Sequence, residues 1–386
     1  MSSYTPKNIT LLQPPKIVAG EGALDVFIND IAERRFKKVY VVTIPLIQKQ
    51  LSLQWNRLTG QGIEIEFYTE VKGEPTFKDL EIILKKAKRF EADSVVGIGG
   101  GSILDLAKLV SVQLYNDQSI QDICGIGNLK RRDTYLACLP TTSGTGSEVS
   151  PNAIMLNDAN EKIGIISPFL LPDATYIDPL LTLTLPPFVT AITGIDALSH
   201  CIEAYTNKFA HPLIDAIALN GIGLIFKNLS NAISNGNNIE ARAALSLGSM
   251  YGGMCLGPVN TAAAHALAYP LATKYKMAHG LSIALLLPAV MRYNAVAVPE
   301  KYASLHTYAG VSTEGSDYGT AMSVADAVEK LIIQCGIRLS LKKNGVSRES
   351  ISVMAEESMK VQRLLKNNPR EITKEDAKKI YEAAYN

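Results

Sequence analysis

The periodicity of the apolar residues changes once along this chain, and that change constrains the fold more than any other feature. Before Pro186-Pro187, β-branched runs alternate with helical patterns. Lys38–Thr43 (KVYVVT) is one such run, Ile63–Val71 alternates, and Ser94–Ile98 (SVVGI) is a short apolar run ending in glycines. Between the last two, Phe77–Ala92 places Leu80, Ile83, Leu84 and Ala87 on one helical face. Thr134–Pro140 and Ala174–Asp178 offer further strands. Such alternation predicts a parallel sheet covered by helices on both faces. Beyond Pro187, strand-like runs nearly vanish. Helices are predicted over Thr190–Tyr205, Leu213–Leu229, Ile239–Gly252, Ala262–Leu271, Leu281–Arg292, Ala321–Gln334, Arg348–Lys366 and Lys374–Tyr385. The chain therefore reads as an α/β domain over 1–187 and an all-α domain over 188–386. Its 386 residues suit two domains at roughly 150 residues each.

Two loops in the α/β half are rich in small residues. Gly97-Ile98-Gly99-Gly100-Gly101-Ser102 follows an apolar strand and precedes the helical pattern ILDLAKLVSVQL. Glycines here let backbone N–H groups approach a pyrophosphate, and the helix N-terminus adds a favourable dipole. Ser102 is expected to cap that helix, with Asp105 in its first turn. A tight strand-to-helix turn without a ligand has the same composition, and the match to G-x-G-x-x-G is loose. The second loop, Thr141-Thr142-Ser143-Gly144-Thr145-Gly146-Ser147-Glu148, can line a ribose or nicotinamide pocket or be an ordinary Ser/Thr/Gly turn. Two such loops in one α/β half favour a nucleotide site.

Only five histidines are present. Asp196 and His200, in GIDALSHCIEAY, are four apart and share a helix face. His265 lies in TAAAHALAYPL and His279 in KMAHGLSIALLLP. A single histidine on an apolar helix is more often a satisfied core residue than a ligand. One carboxylate and three imidazoles in apolar surroundings need partners for every polar atom, and a divalent metal supplies them together. An oxygen and three nitrogens suit Fe²⁺, Zn²⁺, Co²⁺, Ni²⁺ or Mn²⁺ alike. His211 and His306 lack such a context and read as structural or surface residues.

Composition narrows the setting. With 38 Lys+Arg against 37 Asp+Glu, the formal charge of +1 provides no global field to draw in nucleic acid or membrane. No apolar run reaches the eighteen or so residues of a transmembrane helix. The N-terminus lacks a basic region followed by an apolar stretch, so no secretory signal is expected. The five cysteines contain no C-x-x-C pair, which disfavours a thiolate zinc site or a disulfide framework and makes a reducing cytoplasm the default.

Taken together, GGGSILDLAK (Gly99–Lys108), TTSGTGSEVS (Thr141–Ser150), DPLLTLTLPP (Asp178–Pro187), GIDALSHCIEAY (Gly194–Tyr205) and HALAYPLATKYKMAHG (His265–Gly280) resemble the iron-containing (group III) alcohol dehydrogenase family over nearly the whole chain. The resemblance implies a Rossmann-like nucleotide-binding domain followed by an all-α metal-binding domain, the dehydroquinate synthase-like architecture, with NAD or NADP in the cleft. Its metal ligands fall on Asp196, His200, His265 and His279, with Fe²⁺ favoured and Zn²⁺ or another divalent ion admissible. Its cofactor contacts fall on Gly100, Gly101 and Ser102 at the pyrophosphate. Others fall on Thr141, Thr142 and Thr145, and on Ser150, Asn152, Lys162 and Leu181. A cytoplasmic homodimer or larger homo-oligomer acting on a small alcohol or aldehyde is the implied setting.

Three positions depart from the family pattern. Ile44 stands where many members carry an acidic residue for the adenosine ribose, so nothing there repels the 2′-phosphate of NADP. Glu74-Pro75-Thr76 replaces Asn-Pro-Thr. Tyr269 replaces a second histidine four residues after the third ligand, where a phenol can hydrogen-bond a substrate hydroxyl but relays protons poorly near neutral pH. The expected reaction is hydride transfer between a small primary alcohol or diol and nicotinamide, with the substrate oxygen on the metal. Related branches, polyol or polyol-phosphate dehydrogenases and dehydroquinate-synthase-like lyases, are the alternative. A phosphate-handling branch calls for clustered cations around the later ligands, and only Lys274 and Lys276 stand there.

Overall fold

A computed structural model describes residues 8–71, 73–159 and 161–386, which form two compact units. The first comprises Gln13–Pro186 with Asn235–Gly253; the second comprises Pro187–Ser234 with Met254–Asn386 and residues 8–12. Residues Asn235–Gly253, which the sequence reading leaves in the helical half, thus group with the sheet-bearing unit. There Arg242 donates to the carbonyls of Gly236 and Leu185, and the Ser246 and Ser143 hydroxyls lie 3.1 Å apart.

Among the described residues the first unit has nine strands: β1 (Lys16–Ala19), β2 (Lys38–Val42), β3 (Glu64–Tyr68), β4 (Ser94–Gly99), β5 (Gly125–Ile126), β6 (Tyr135–Pro140), β7 (Asn152–Leu156), β8 (Lys162–Ile166) and β9 (Ala174–Ile177). Six form a sheet in the order β1-β9-β6-β4-β2-β3, every pairing parallel. The alternation along β2 shows why both faces are dry. Val39 and Val41 face a core with Phe27, Ile31, Trp55 and Leu58, whereas Tyr40 and Val42 face Leu80, Ile83, Leu104 and Ala107. The smaller sheet, β5-β8-β7, pairs β7 with β8 in antiparallel fashion.

Strand order determines where this unit can take a ligand. From β2 the chain moves outward to β3, then returns to β4 and continues the other way to β6 and β9. The connections leaving β2 and β4 therefore diverge, which opens a crevice at the carboxyl ends of those strands. Ile44 follows β2 there, and Gly100–Ser102 follow β4. Both sequence-selected positions sit at this topological switch point.

In the helical unit, Pro187–Tyr205 packs against Pro212–Ser234 and His279–Asn294, and Ala263–Tyr275 packs against His279–Asn294. Two expectations are corrected in this unit. The single helix predicted over Arg348–Lys366 is broken into Ile351–Ser358 and Gln362–Leu365, because Val361 leaves helical dihedrals (φ −85°, ψ 48°). Helix Pro212–Ser234 is long and apolar enough, at mean hydropathy 1.3, to meet the length and composition of a membrane span. Polar residues interrupt it, so a search for uninterrupted runs passes over it. One third of its apolar stretch is buried, and Asp215, Asn220, Lys227 and Asn228 lie along the same helix.

Candidate metal and nucleotide site

The second unit brings the predicted ligands together. Asp196 and His200 lie in helix Pro187–Tyr205, His265 near the start of Ala263–Tyr275, and His279 at the first position of His279–Asn294. The last helix can approach so closely because of Gly280. A Cβ there would stand 2.2 Å from the carbonyl oxygen of Ile192.

Three imidazoles converge on one carboxylate oxygen. The Nε2 atoms of His265, His279 and His200 lie 3.5, 3.6 and 3.8 Å from Asp196 Oδ1. Asp196, His265 and His279 form the tightest group, with ligand atoms within 4.8 Å of one another, and the His200 ring stacks on that of His265 at 4.8 Å. These separations exceed hydrogen-bond length. They approach the ~3.4 Å edge of a tetrahedron with bonds of about 2.1 Å. Asp196 Oδ1 and His265 Nε2 are buried and lack a hydrogen-bond partner, a costly arrangement unless a cation sits between them. The residues therefore fit a divalent metal.

One supporting residue escaped the sequence reading. Glu203 accepts from the backbone N–H of Ala264 (2.7 Å) and pairs with His265 Nδ1 (2.5 Å). Engaging Nδ1 turns Nε2 toward Asp196, the carboxylate–histidine arrangement that orients metal-binding imidazoles. Its signal was available: Glu203 lies seven residues after Asp196 on the same helix face. Electrostatics agree. Burial opposes charge on His265, yet Glu203 and Asp196 outweigh it and raise its pKa to about 9. Burial likewise opposes the Asp196 carboxylate, but the three histidines hold its pKa well below the usual range. The pocket is built to stabilise positive charge. It is not sealed, since the His279 side chain is 28% exposed.

Tyr269, one turn beyond His265, is half-buried, and its hydroxyl accepts from Arg363 at 2.5 Å. Arg363 had no mark in the sequence reading, because 94 residues separate it from Tyr269.

In the first unit the two small-residue loops meet. A Cβ on Gly101 would stand 2.6 Å from Thr145 Cγ2, and one on Gly100 would stand 3.3 Å from Thr142 Cγ2. Thr141 N–H bonds the carbonyl of Gly99 (2.9 Å). Thr141 is buried, whereas Thr142 and Thr145 are half-buried. Gly100, not Ser102, is the N-cap of helix Gly101–Gln113, and Ser102 lies within the helix without a capping bond. Asp105 is likewise not a first-turn residue. Its carboxylate is committed to Ser147 Oγ (2.5 Å) and Ile154 N–H (2.9 Å), and burial raises its pKa. With glycine at the cap, the N–H groups of Gly101 and Ser102 stand at the open helix end beneath the second loop.

The outer cofactor candidates are placed less directly. Lys108, wholly buried, donates to the carbonyls of Ser150 and Asn152, each at 2.8 Å. Lys162 is ion-paired with Glu74, the residue that departs from the family pattern. Leu181 is buried in the core beside β9. Ile44 packs against both sheet cores.

A parallel α/β unit with a glycine turn at its switch point, joined in one chain to a helical unit with a His₃Asp cluster, defines a metal- and nucleotide-dependent oxidoreductase class. Residues 14–179 match the iron-containing alcohol dehydrogenase family, and residues 190–385 match the C-terminal region of the Fe-containing alcohol dehydrogenase family. The chain is 34% identical to long-chain-alcohol dehydrogenase 1 of Geobacillus thermodenitrificans, covering 96% of this chain and 95% of that protein. It is also 34% identical to sulfoacetaldehyde reductase of Bilophila wadsworthia, covering 96% and 97%. The crystal structure of a 1,3-propanediol oxidoreductase superposes with a TM-score of 0.94 at 31% identity, covering 98% of this chain and all of that one. The chain belongs to the iron-containing alcohol dehydrogenase family and is an alcohol dehydrogenase.

Proposed function

We propose that Asp196, His200, His265 and His279 hold one divalent cation, Fe²⁺ by preference. The observation that carries this reading is the convergence of three imidazoles on Asp196 Oδ1 at separations too long for hydrogen bonds. Bound there, the cation supplies Lewis acidity toward an alcohol or carbonyl oxygen, and NAD or NADP supplies the hydride acceptor or donor. Glu203 keeps the His265 ring in register, and the helix-end N–H groups of Gly101 and Ser102 receive the pyrophosphate. Gly100 leaves room for it, Thr142 and Thr145 flank the nucleotide, and Thr141, Ser150, Asn152, Lys162 and Leu181 shape the surrounding loops. Apolar Ile44 after β2 leaves the site open to NADP as well as NAD.

The net reaction oxidises a small primary alcohol or diol to an aldehyde, releasing a proton as hydride passes to nicotinamide, or runs in reverse. Two relatives of equal identity are named for a long-chain alcohol and for sulfoacetaldehyde, so overall identity leaves the substrate open. Tyr269 is assigned a substrate contact. The nucleotide half is assigned to the sheet-bearing unit and the metal and substrate half to the helical unit, with the main division near Pro187, between family matches that end at 179 and begin at 190. A homodimer in the cytoplasm completes the reading.

The test follows the absorbance of NADH and NADPH with a panel of aldehydes and diols. One reduced cofactor is oxidised by wild-type enzyme, and Asp196→Ala lowers kcat/KM on the order of a thousandfold, about 4 kcal/mol. Unchanged activity in Asp196→Ala would remove the metal from the reaction.

A further inference from the structure

We propose that this site selects an alcohol or aldehyde bearing an oxyanion, a carboxylate or sulfonate, and that Arg363, held against Tyr269, recognises it; this rests on the alcohol dehydrogenase reading above. Tyr269 follows His265 by four residues on one helix, which places the two side chains on one face about 6 Å apart along the axis. Every other residue from Ala263 to Leu271 is buried, so Tyr269 is the accessible position next to the metal ligand. The short helix Gln362–Leu365 packs against Ala263–Tyr275 and carries Arg363 to it. The break after Ser358 makes this placement, since it re-aims the chain ahead of Arg363.

Half-buried guanidinia in this chain are of two kinds, those paired with carboxylates and those, like Arg370 on the Tyr293 carbonyl and ring, held by a tyrosine. Arg292 pairs with Asp326 and Glu329, and Arg132 with Asp173. Arg363 instead donates one hydrogen bond to a neutral phenol and lies 5.8 Å from the centre of its ring. Among the described residues no carboxylate lies within ion-pair distance of it. A guanidinium has five N–H donors in a planar fork that matches an oxyanion in two-pronged fashion, and only one is used here. A partly desolvated cation without a counter-ion is costly, and a substrate anion offsets that cost. A neutral substrate gains nothing from Arg363, and a cationic one is repelled.

The spacing also limits the substrate. With the reacting oxygen near His265 and the anion one helical turn away, the two groups are separated by a few carbons. Reduction takes a hydride from the reduced nicotinamide and a proton from solvent, and leaves the oxyanion unchanged.

The experiment compares kcat/KM for 4-oxobutanoate, 2-oxoethanesulfonate and butanal in wild type, Arg363→Met and Arg363→Lys. Wild type is expected to prefer at least one anionic aldehyde over butanal by tenfold or more, and the better one identifies the oxyanion. Arg363→Met is expected to lower that preference at least tenfold, mainly through KM, and Arg363→Lys to retain part of it. A wild-type preference near one overturns the proposal. So does an equal loss with all three aldehydes in Arg363→Met, which would mark Arg363 as a clip between helices. If no aldehyde is reduced, the dehydrogenase reading fails, and calorimetric titration with 4-hydroxybutanoate and 2-hydroxyethanesulfonate still decides. Binding weakened tenfold in Arg363→Met sustains the anion site; equal or absent binding in both proteins overturns it.

Discussion

At the level of single residues, the site is a set of ligands and the side chains that aim them. Replacing Glu203 by Ala frees the His265 ring to rotate and is expected to lower divalent-metal affinity about 10–100-fold. Glu203→Gln, which keeps an acceptor for the ring, loses less; competition titration with a metal indicator measures both. Glu148, wholly buried in the second loop, allows a prediction independent of the metal. Burial raises its pKa from 4.5 to about 7, against its own backbone N–H and Lys108. The folded state then holds a proton that the unfolded chain has lost, so this residue contributes falling stability as pH rises from about 4.5 to about 7. In Glu148→Gln that contribution is removed. Its denaturation midpoint relative to wild type should climb across this window and level off above pH 7; a pH-independent difference would contradict the assignment. Asp196 and His200 were legible because an i, i+4 pair declares itself, and Glu203, three residues beyond His200 and seven beyond Asp196, continues the same helix face. Arg363 was not legible, because only tertiary packing brings it to Tyr269.

Among the elements, two glycines decide whether the parts of the site close up. In Gly280→Ala the new methyl meets the Ile192 carbonyl at the crossing of two ligand-bearing helices. The strain should cost about 1–3 kcal/mol, and His279 should move from Asp196, so melting temperature and retained metal fall together. In Gly101→Ala the methyl meets Thr145. NAD(P)H binding, followed by fluorescence, should weaken at least tenfold and recover in part when Thr145→Ala is added. The strands β2, β4, β6 and β9 were legible because strands buried on both faces read as continuous apolar runs. β1, only four residues long, and the half-exposed pair β7 and β8 carry no such run. Helices Pro45–Gln50 and Ser52–Thr59 are short and were passed over. The cap at Gly100 went to the residue that permits the turn, whereas a side-chain rule pointed to Ser102.

For the whole molecule, the candidate groups are divided between two units, one offering backbone N–H groups at a switch point and the other a largely buried cluster of ligands. The change in periodicity at Pro186-Pro187 coincides with the division, and the excursion of Asn235–Gly253 to the sheet unit does not show in any pattern, because a helix reads the same whichever unit it packs on. The Asp196–His200–His265–His279 cluster is proposed to hold the cation on which alcohol oxidation depends. The most direct test strips the enzyme with a chelator, measures bound metal and NAD(P)H-linked turnover, and restores Fe²⁺, Zn²⁺, Mn²⁺, Co²⁺ or Ni²⁺ singly. Close to one ion per chain is expected, with activity lost on its removal and regained with at least one ion, Fe²⁺ foremost, and with no recovery in His265→Ala. Full activity in metal-free enzyme would contradict it.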